Sequence, residues 1–136
     1  MPESLGDRYS ASTQYVKRAE RSIPLASQTF SKSRTQYPLG AAPFFAAKAK
    51  GSRLWDIDGN EYVDLVSALG AVVLGYSDEE ISEAVARQLQ DGVTFTLSHP
   101  IEAEVAERII DLVPCAEKVR FGKNGTDATS AAVRLA

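Results

Sequence analysis

The sequence predicts an α/β protein in which a β-hairpin precedes helices and a strand that leads into a further helix. Three patterns support this class. Short runs of β-branched and aromatic residues flank a polar turn, apolar residues then recur at helical spacing, and a last stretch changes from strand to helical periodicity. These patterns fall at 53–66, 78–113 and 118–136.

The composition is that of an ordinary globular protein, with 136 residues, 44% hydrophobic and 24% charged. The length suits one domain. A net charge of −3 and no Lys/Arg run favour neither a nucleic-acid partner nor a membrane surface. The single cysteine, Cys115, excludes an internal disulfide and is expected to pack as a small apolar side chain. No apolar run reaches the length of a membrane span, so a cytoplasmic location is expected.

The first fifty residues predict little regular structure. Leu5, Tyr9, Val16 and Ala19 outline a weak amphipathic helix within residues 1–22, whose expected role is docking. Prolines and serines then predict an extended or irregular chain over residues 23–50. Its one obvious apolar anchor is the pair Phe44-Phe45.

The runs 53–57 and 61–66 predict a hairpin around Asp58-Gly59-Asn60. Four carboxylates in this region raise the question of a metal site: Asp56, Asp58, Glu61 and Asp64. The spacing lacks the other ligand positions and the closing glutamate of a calcium loop. Turn formation and solvation therefore explain these acids better than a metal does.

Gly70 and Gly75 follow, and both permit close approach of another backbone segment. Ser77 with Glu80 predicts a capping box for a helix that ends near Gly92. A second helix is predicted from Pro100 to Pro114, with the lone histidine His99 as its cap rather than a catalyst.

The stretch 118–136 predicts a strand at 118–121, a tight turn at 122–126 and a helix with apolar residues Ala128, Ala131, Ala132 and Leu135. The free N–H groups of Gly125, Thr126 and Asp127 are expected to point outward, and the Thr126 hydroxyl adds a donor. Since the helix dipole also favours negative charge there, the turn is a candidate phosphate site. A hairpin at Asn124-Gly125 is the alternative, but helical spacing follows instead of a second strand.

Three segments of the sequence resemble motifs of one known family. Residues 119–136 resemble the V-x-F-x-N-S-G-T-E-A motif and following helix of class III (fold type I) pyridoxal-phosphate aminotransferases, and within that class the sequence is most like the glutamate-1-semialdehyde 2,1-aminomutase group. Residues 54–64 resemble the family's W-D-x-D-G-N-x-Y-x-D segment, and residues 74–78 are similar to its L-G-H-x-x-P. The likeness runs in order through about residues 35–136, which is more specific than any one motif.

The resemblance implies that this is the N-terminal part of a fold type I enzyme with pyridoxal 5'-phosphate as cofactor. Residues 1–68 would form an N-terminal segment bearing the hairpin, and residues 69–136 the start of the large cofactor-binding domain. By likeness to the motif, cofactor-phosphate contacts are carried to Asn124, Gly125 and Thr126. Asn124 stands where the motif usually has serine, and Asp127 stands where it has glutamate.

Amino-group transfer needs a lysine that forms a Schiff base with the cofactor and an acid that pairs with its ring nitrogen. The resemblance places both beyond Ala136, and Lys123 is on the phosphate side. No catalytic residue is therefore assigned, the stretch alone is expected to be an inactive and aggregation-prone fragment, and the complete enzyme is expected to be a homodimer.

The substrates would be a small amine or amino acid and a keto or aldehyde compound. Leu69 stands where the aminomutases have an aromatic residue near the substrate, which leaves open an aminotransferase acting on another amine or keto compound. Two readings from other classes also stay open. One is a non-catalytic phosphate- or nucleotide-binding module, although no complete glycine fingerprint is present. The other is a small interaction protein built on the helices at 78–91 and 100–113.

Overall fold

The computed structural model describes residues 8–136, so position Leu5 of the predicted first helix lies outside the described residues. The chain divides within one helix, between Arg87 and Gln88, into two compact units. The helices and strands, in chain order, are α1 (Ser10–Ala19), β1 (Ala46–Lys50), β2 (Arg53–Asp56), β3 (Glu61–Val63), α2 (Glu79–Asp91), α3 (Pro100–Leu112) and α4 (Gly125–Leu135). Short 3-10 helices lie at Pro24–Ala26 and Phe30–Lys32.

The first unit is built on a three-stranded antiparallel sheet in the order β1-β2-β3. The predicted hairpin is confirmed as β2 and β3. Strand β1 was not predicted, because its sequence Ala-Ala-Lys-Ala-Lys has no β-branched or aromatic residue. It forms because β2 offers it a free edge of hydrogen-bonding groups, and the Lys48 ammonium lies 4.8 Å from the ring centre of Trp55.

The hairpin loop is held by Asp56, whose side chain is only 2% exposed. Its carboxylate accepts hydrogen bonds from the Asn60 backbone N–H at 2.8 Å, the Asn60 side-chain amide at 2.9 Å and the Tyr62 hydroxyl at 2.8 Å. Burial alone would raise the pKa of Asp56, but the hydrogen bonds from Asn60 and Tyr62 outweigh it and lower that pKa. Solvation was therefore the wrong explanation for this acid, since three donors replace the water.

The hairpin turn also caps helix α1. The Asp58 carboxylate accepts hydrogen bonds from the backbone N–H groups of Ala11 at 2.6 Å and Ser12 at 3.0 Å, and from the Ser12 hydroxyl. Helix α1 has no acidic residue in its first turn and no side-chain cap of its own. A carboxylate 46 positions away from Ser12 in the sequence therefore satisfies the free N–H groups of this helix.

A small apolar core lies beneath α1. Val16, Ala19 and Ala26 are buried, and Phe44 and Phe45 pack against them. This confirms the predicted role of the phenylalanine pair as an anchor, and Phe45 also meets Tyr15 edge to face at 5.1 Å between ring centres. The N-terminal helix is thereby docked to the unit on its apolar side.

After β3 the chain returns to the sheet at the turn between β1 and β2. Tyr76 and Gly51 exchange backbone hydrogen bonds of 2.8 and 2.9 Å. A Cβ at Gly75 would lie 3.1 Å from the Gly51 Cα, which confirms the predicted close approach at this glycine. Ser77 is not the cap of α2, because its φ is +52° and its hydroxyl donates to the Ala49 carbonyl. Asp78 takes that place and accepts from the Ile81 N–H at 3.1 Å.

Between β3 and this return lies a turn, Ser67–Gly70, made of consecutive left-handed residues. The φ angles are +49° at Ser67, +49° at Ala68, +60° at Leu69 and +90° at Gly70. Only the glycine adopts this conformation freely, and the others cost roughly 1–2 kcal/mol each. Leu69 is 77% exposed, so burial of its side chain does not offset that cost within the described residues.

In the second unit, α3 begins as predicted. His99 is its N-cap: the Nδ1 atom accepts from the Ile101 N–H at 3.2 Å, and Glu102 accepts from the His99 N–H at 3.1 Å. Cys115 follows the helix and is exposed, so the prediction that it packs as an apolar side chain was wrong for the described part of the chain. The helix ends at Leu112 and leaves the cysteine in an irregular segment.

The helices expose large apolar side chains. Among the described residues, one face of α2 is formed by Ile81, Val85 and Leu89, whose side chains are about half exposed. On α4, Val133 and Leu135 are exposed to a greater extent. The helical periodicity was predicted correctly. The burial that such periodicity implies is not provided by the described residues.

The cap on α1 leads to a stability prediction. Asp58→Ala is expected to destabilise α1 by about 2 kcal/mol, because it leaves the first-turn N–H groups without their acceptor. Amide hydrogen exchange at Ala11 and Ser12 measures this. Asp58→Asn is the matched control and is expected to lose less, since its amide oxygen still accepts; unchanged exchange in Asp58→Ala would contradict the assignment.

The hairpin acids predict a loss of stability at low pH. The folded-state pKa of Asp56 is lowered, so its contribution is present above the unfolded-state value of about 3.9 and is lost as the pH falls through the folded-state value. Fluorescence of Trp55, the chain's single tryptophan, follows the transition. Asp56→Asn is expected to flatten this acid dependence; an unchanged dependence in that variant would show that other groups cause it.

Candidate functional site

The predicted phosphate turn leads directly into α4. Asn124 is extended, with φ −127° and ψ 161°, and is the residue before the helix; Gly125 and Thr126 are its first two positions. All three are exposed. The structure therefore brings the three predicted contact residues together at one helix N-terminus, as the sequence indicated. Their role toward a phosphate stays a prediction.

The predicted strand at 118–121 is not formed. These residues are irregular, and Phe121 is half exposed. A strand exists only when a neighbour accepts and donates its backbone hydrogen bonds, and no such neighbour lies among the described residues. The local pattern for a strand was present, but the pairing that would make it one is not.

The N–H groups of Gly125 and Thr126 have no hydrogen-bond partner within the described residues. The prediction included Asp127 as a third free donor, and that was wrong. The Asp127 N–H donates to the Asn124 carbonyl at 3.1 Å, because the first turn of the helix closes tightly there.

The space in front of these two donors is open. A Cβ built on Gly125 would meet no atom within 4 Å. Two unpartnered N–H groups, open space and the positive end of an 11-residue helix are the features that bind a phosphate oxygen. The residues present therefore fit the phosphate of a cofactor.

Asp127 has a role that sequence reasoning missed. Its carboxylate accepts from the Asn124 backbone N–H at 3.0 Å and from the Asn124 side-chain amide at 3.4 Å. The acid is thus directed back to the residue before the helix. The available signal was an acidic residue three positions after Asn124, the spacing of a capping box.

Gly122 lies close to Asp127 in the same turn. A Cβ there would lie 3.3 Å from the Cβ of Asp127, so a larger residue would press on the side chain that holds the turn.

An open groove of about 600 Å³ in the same unit is lined by α3 and by Val119, Arg120 and Phe121, and it does not include the phosphate turn.

These features match a known family. The model of the family described as Aminotransferase class-III matches residues 36–136. The chain belongs to this family, whose cofactor is pyridoxal 5'-phosphate. The predicted family, fold class and cofactor are confirmed.

Relatives of known sequence and structure agree. Glutamate-1-semialdehyde 2,1-aminomutase from Aquifex aeolicus is 42% identical over 98 residues, which are 72% of this chain and 23% of that protein. An omega-transaminase from Sphaerobacter thermophilus is 33% identical, covers 95% of this chain and 29% of its own, and has a TM-score of 0.84. The FumI protein of Sphingopyxis sp. MTA144, solved in its PLP internal aldimine form, is 36% identical over 88% of this chain and 28% of its own, with a TM-score of 0.80.

The chain thus spans about a quarter of the length of the relatives it matches, 23% for the Aquifex aeolicus aminomutase. No helix in the described part of the chain is long and apolar enough to cross a membrane.

The geometry at Asp127 predicts the effect of removing it. Asp127→Ala is expected to speed hydrogen exchange of the Asn124 amide by about tenfold, because its acceptor is lost. Asp127→Glu keeps a carboxylate and introduces the glutamate of the family motif, so it is expected to keep most of the protection. Equal exchange in the wild type and in Asp127→Ala would show that the carboxylate does not hold the turn.

Proposed function

We propose that these residues supply the phosphate-binding turn of a pyridoxal-phosphate-dependent aminotransferase or aminomutase. The observation that supports it most directly is the pair of unpartnered N–H groups at Gly125 and Thr126, within a segment that the family model matches. Family membership also favours an enzyme over a separate phosphate-binding module or a small interaction protein.

When bound, the cofactor supplies an electron sink for moving an amino group between carbon skeletons. The part assigned to this stretch is to bind and orient it. The N–H groups of Gly125 and Thr126 and the Thr126 hydroxyl would donate to phosphate oxygens, and the dipole of α4 would stabilise the negative charge. Asn124, held by Asp127, completes the turn. The lysine and acid that the chemistry also requires are proposed to lie outside these residues.

The proposed substrates are a small amine or amino acid and a keto or aldehyde compound. Relatives named as aminomutases support an amino shift within one molecule, whereas a relative named as an omega-transaminase supports transfer between two. Leu69 in place of the aminomutases' aromatic residue favours the second. Turnover of glutamate-1-semialdehyde compared with turnover of an amine and keto-acid pair distinguishes them.

A homodimer in the cytoplasm is proposed for the complete protein. The support for the dimer is the family resemblance. Light scattering of the complete protein measures the assembly, and a monomer would contradict this part of the proposal.

If the turn binds the cofactor phosphate, variants of the turn are expected to weaken binding of pyridoxal phosphate much more than binding of pyridoxal. In the complete protein, Thr126→Ala and Gly125→Asp are expected to weaken retention of pyridoxal phosphate by about tenfold or more, because each removes or opposes a charge-assisted hydrogen bond. Affinity for pyridoxal, which lacks the phosphate, is expected to change little. The measurement is the dissociation constant of each compound for each variant.

Thr126→Ser keeps the hydroxyl and Gly125→Asn adds a side chain of similar size without the charge. Both are expected to bind the cofactor more tightly than their paired variants. If the wild-type protein binds pyridoxal as tightly as pyridoxal phosphate, or if the variants weaken both compounds equally, the turn is not the phosphate site.

A further inference from the structure

The segment from Asp64 to Tyr76 has a feature that the proposed function does not use. It contains three consecutive non-glycine residues in the left-handed conformation, Ser67, Ala68 and Leu69, with φ between +49° and +60°. Such strain persists only where the surrounding structure enforces it. Contacts around the turn must therefore hold Ser67, Ala68 and Leu69 in this conformation.

Packing of the loop side chains does not enforce it within the described residues. Five apolar side chains of this loop are exposed, each by more than half: Leu65, Val66, Leu69, Val73 and Leu74. Side chains with so little buried area give the left-handed turn no advantage over a relaxed one.

Backbone hydrogen bonds inside the turn, from the Leu69 N–H to the Val66 carbonyl at 3.0 Å and from the Val72 N–H to the Ser67 carbonyl at 3.1 Å, also form in a right-handed turn and do not select this conformation. The hydrogen bonds at the base of the loop remain. One oxygen of the Asp64 carboxylate accepts from the backbone N–H groups of Val66 at 2.8 Å and Ser67 at 3.2 Å, directly before the left-handed residues. The other oxygen accepts from the Tyr76 hydroxyl at 2.6 Å. Both carboxylate oxygens are therefore occupied, one by the start of the turn and the other by the end of the loop.

Tyr76 is itself fixed to the sheet by its paired backbone hydrogen bonds with Gly51, of 2.8 and 2.9 Å. The Tyr76 hydroxyl thus ties Asp64, and through Asp64 the amides of the turn, to Gly51, the residue that follows strand β1. Loss of the hydroxyl would free Asp64 to rotate away from Val66 and Ser67.

We propose that Asp64 and Tyr76 form a clamp that holds Ser67–Gly70 in its left-handed conformation. Without the clamp, the turn is expected to relax to conformations that Ala68 and Leu69 adopt without strain. This inference concerns the loop alone and does not depend on the phosphate site.

The test is hydrogen exchange of residues 65–75 in the complete protein carrying Tyr76→Phe, which removes only the hydroxyl. Exchange of the Val66 and Ser67 amides is expected to quicken by about tenfold, because bonds to a carboxylate are among the stronger ones. Strands β2 and β3 are expected to keep their protection. Tyr37→Phe is the matched control, since the Tyr37 ring meets Phe44 without a side-chain hydrogen bond in the described residues.

Two further variants separate the clamp from the strain. Tyr76→His places another N–H donor at this position and is expected to restore part of the protection. Tyr76→Phe combined with Leu69→Gly is expected to restore more, because glycine adopts positive φ without steric cost.

Unchanged exchange in Tyr76→Phe would overturn the clamp. An equally fast exchange in Tyr76→Phe with and without Leu69→Gly would overturn the role of strain. Loss of protection that extends into β2 and β3 would also overturn the proposal, because the hydroxyl would then support the whole unit rather than this turn.

Discussion

The carboxylates of the hairpin organise the first unit. Asp58 caps helix α1 from the hairpin turn, Asp56 is buried under three hydrogen bonds within the loop, and Asp64 begins the next loop. A buried carboxylate without donors would cost several kcal/mol, so the positions of Asn60 and Tyr62 follow from that of Asp56. The N-terminal helix, the sheet and the loop after it are connected through side chains that look like solvated surface acids in the sequence.

The two units obtain their order in different ways. In the first, a small core of Val16, Ala19 and Ala26 is supported by a network of polar contacts. In the second, helices α3 and α4 are ordered by their own caps, His99 and Asn124 with Asp127, while apolar side chains remain exposed. Local capping starts a helix but contributes only about 1 kcal/mol, so these faces have more apolar area than the described residues cover.

The candidate site was predictable in its position but not in its hydrogen bonding. The helix start at Gly125 and the grouping of Asn124, Gly125 and Thr126 were predictable, because turn residues and helical spacing are local signals. The number of free donors was not. Whether the Asp127 N–H is free depends on how tightly the first turn closes, and that depends on the bond between Asp127 and Asn124.

The sequence by itself determined the hairpin, helices α2, α3 and α4 to within a residue or two, the His99 cap, the Phe44-Phe45 anchor and the family. All of these depend on periodicity, turn residues or motifs within a few positions of one another. Tertiary structure decided strand β1, the absence of a strand at 118–121, the cap on α1 and the clamp between Asp64 and Tyr76. Each of these depends on whether a partner distant in sequence is present, and the local sequence does not reveal which partner the hydrogen-bonding groups of a segment will meet.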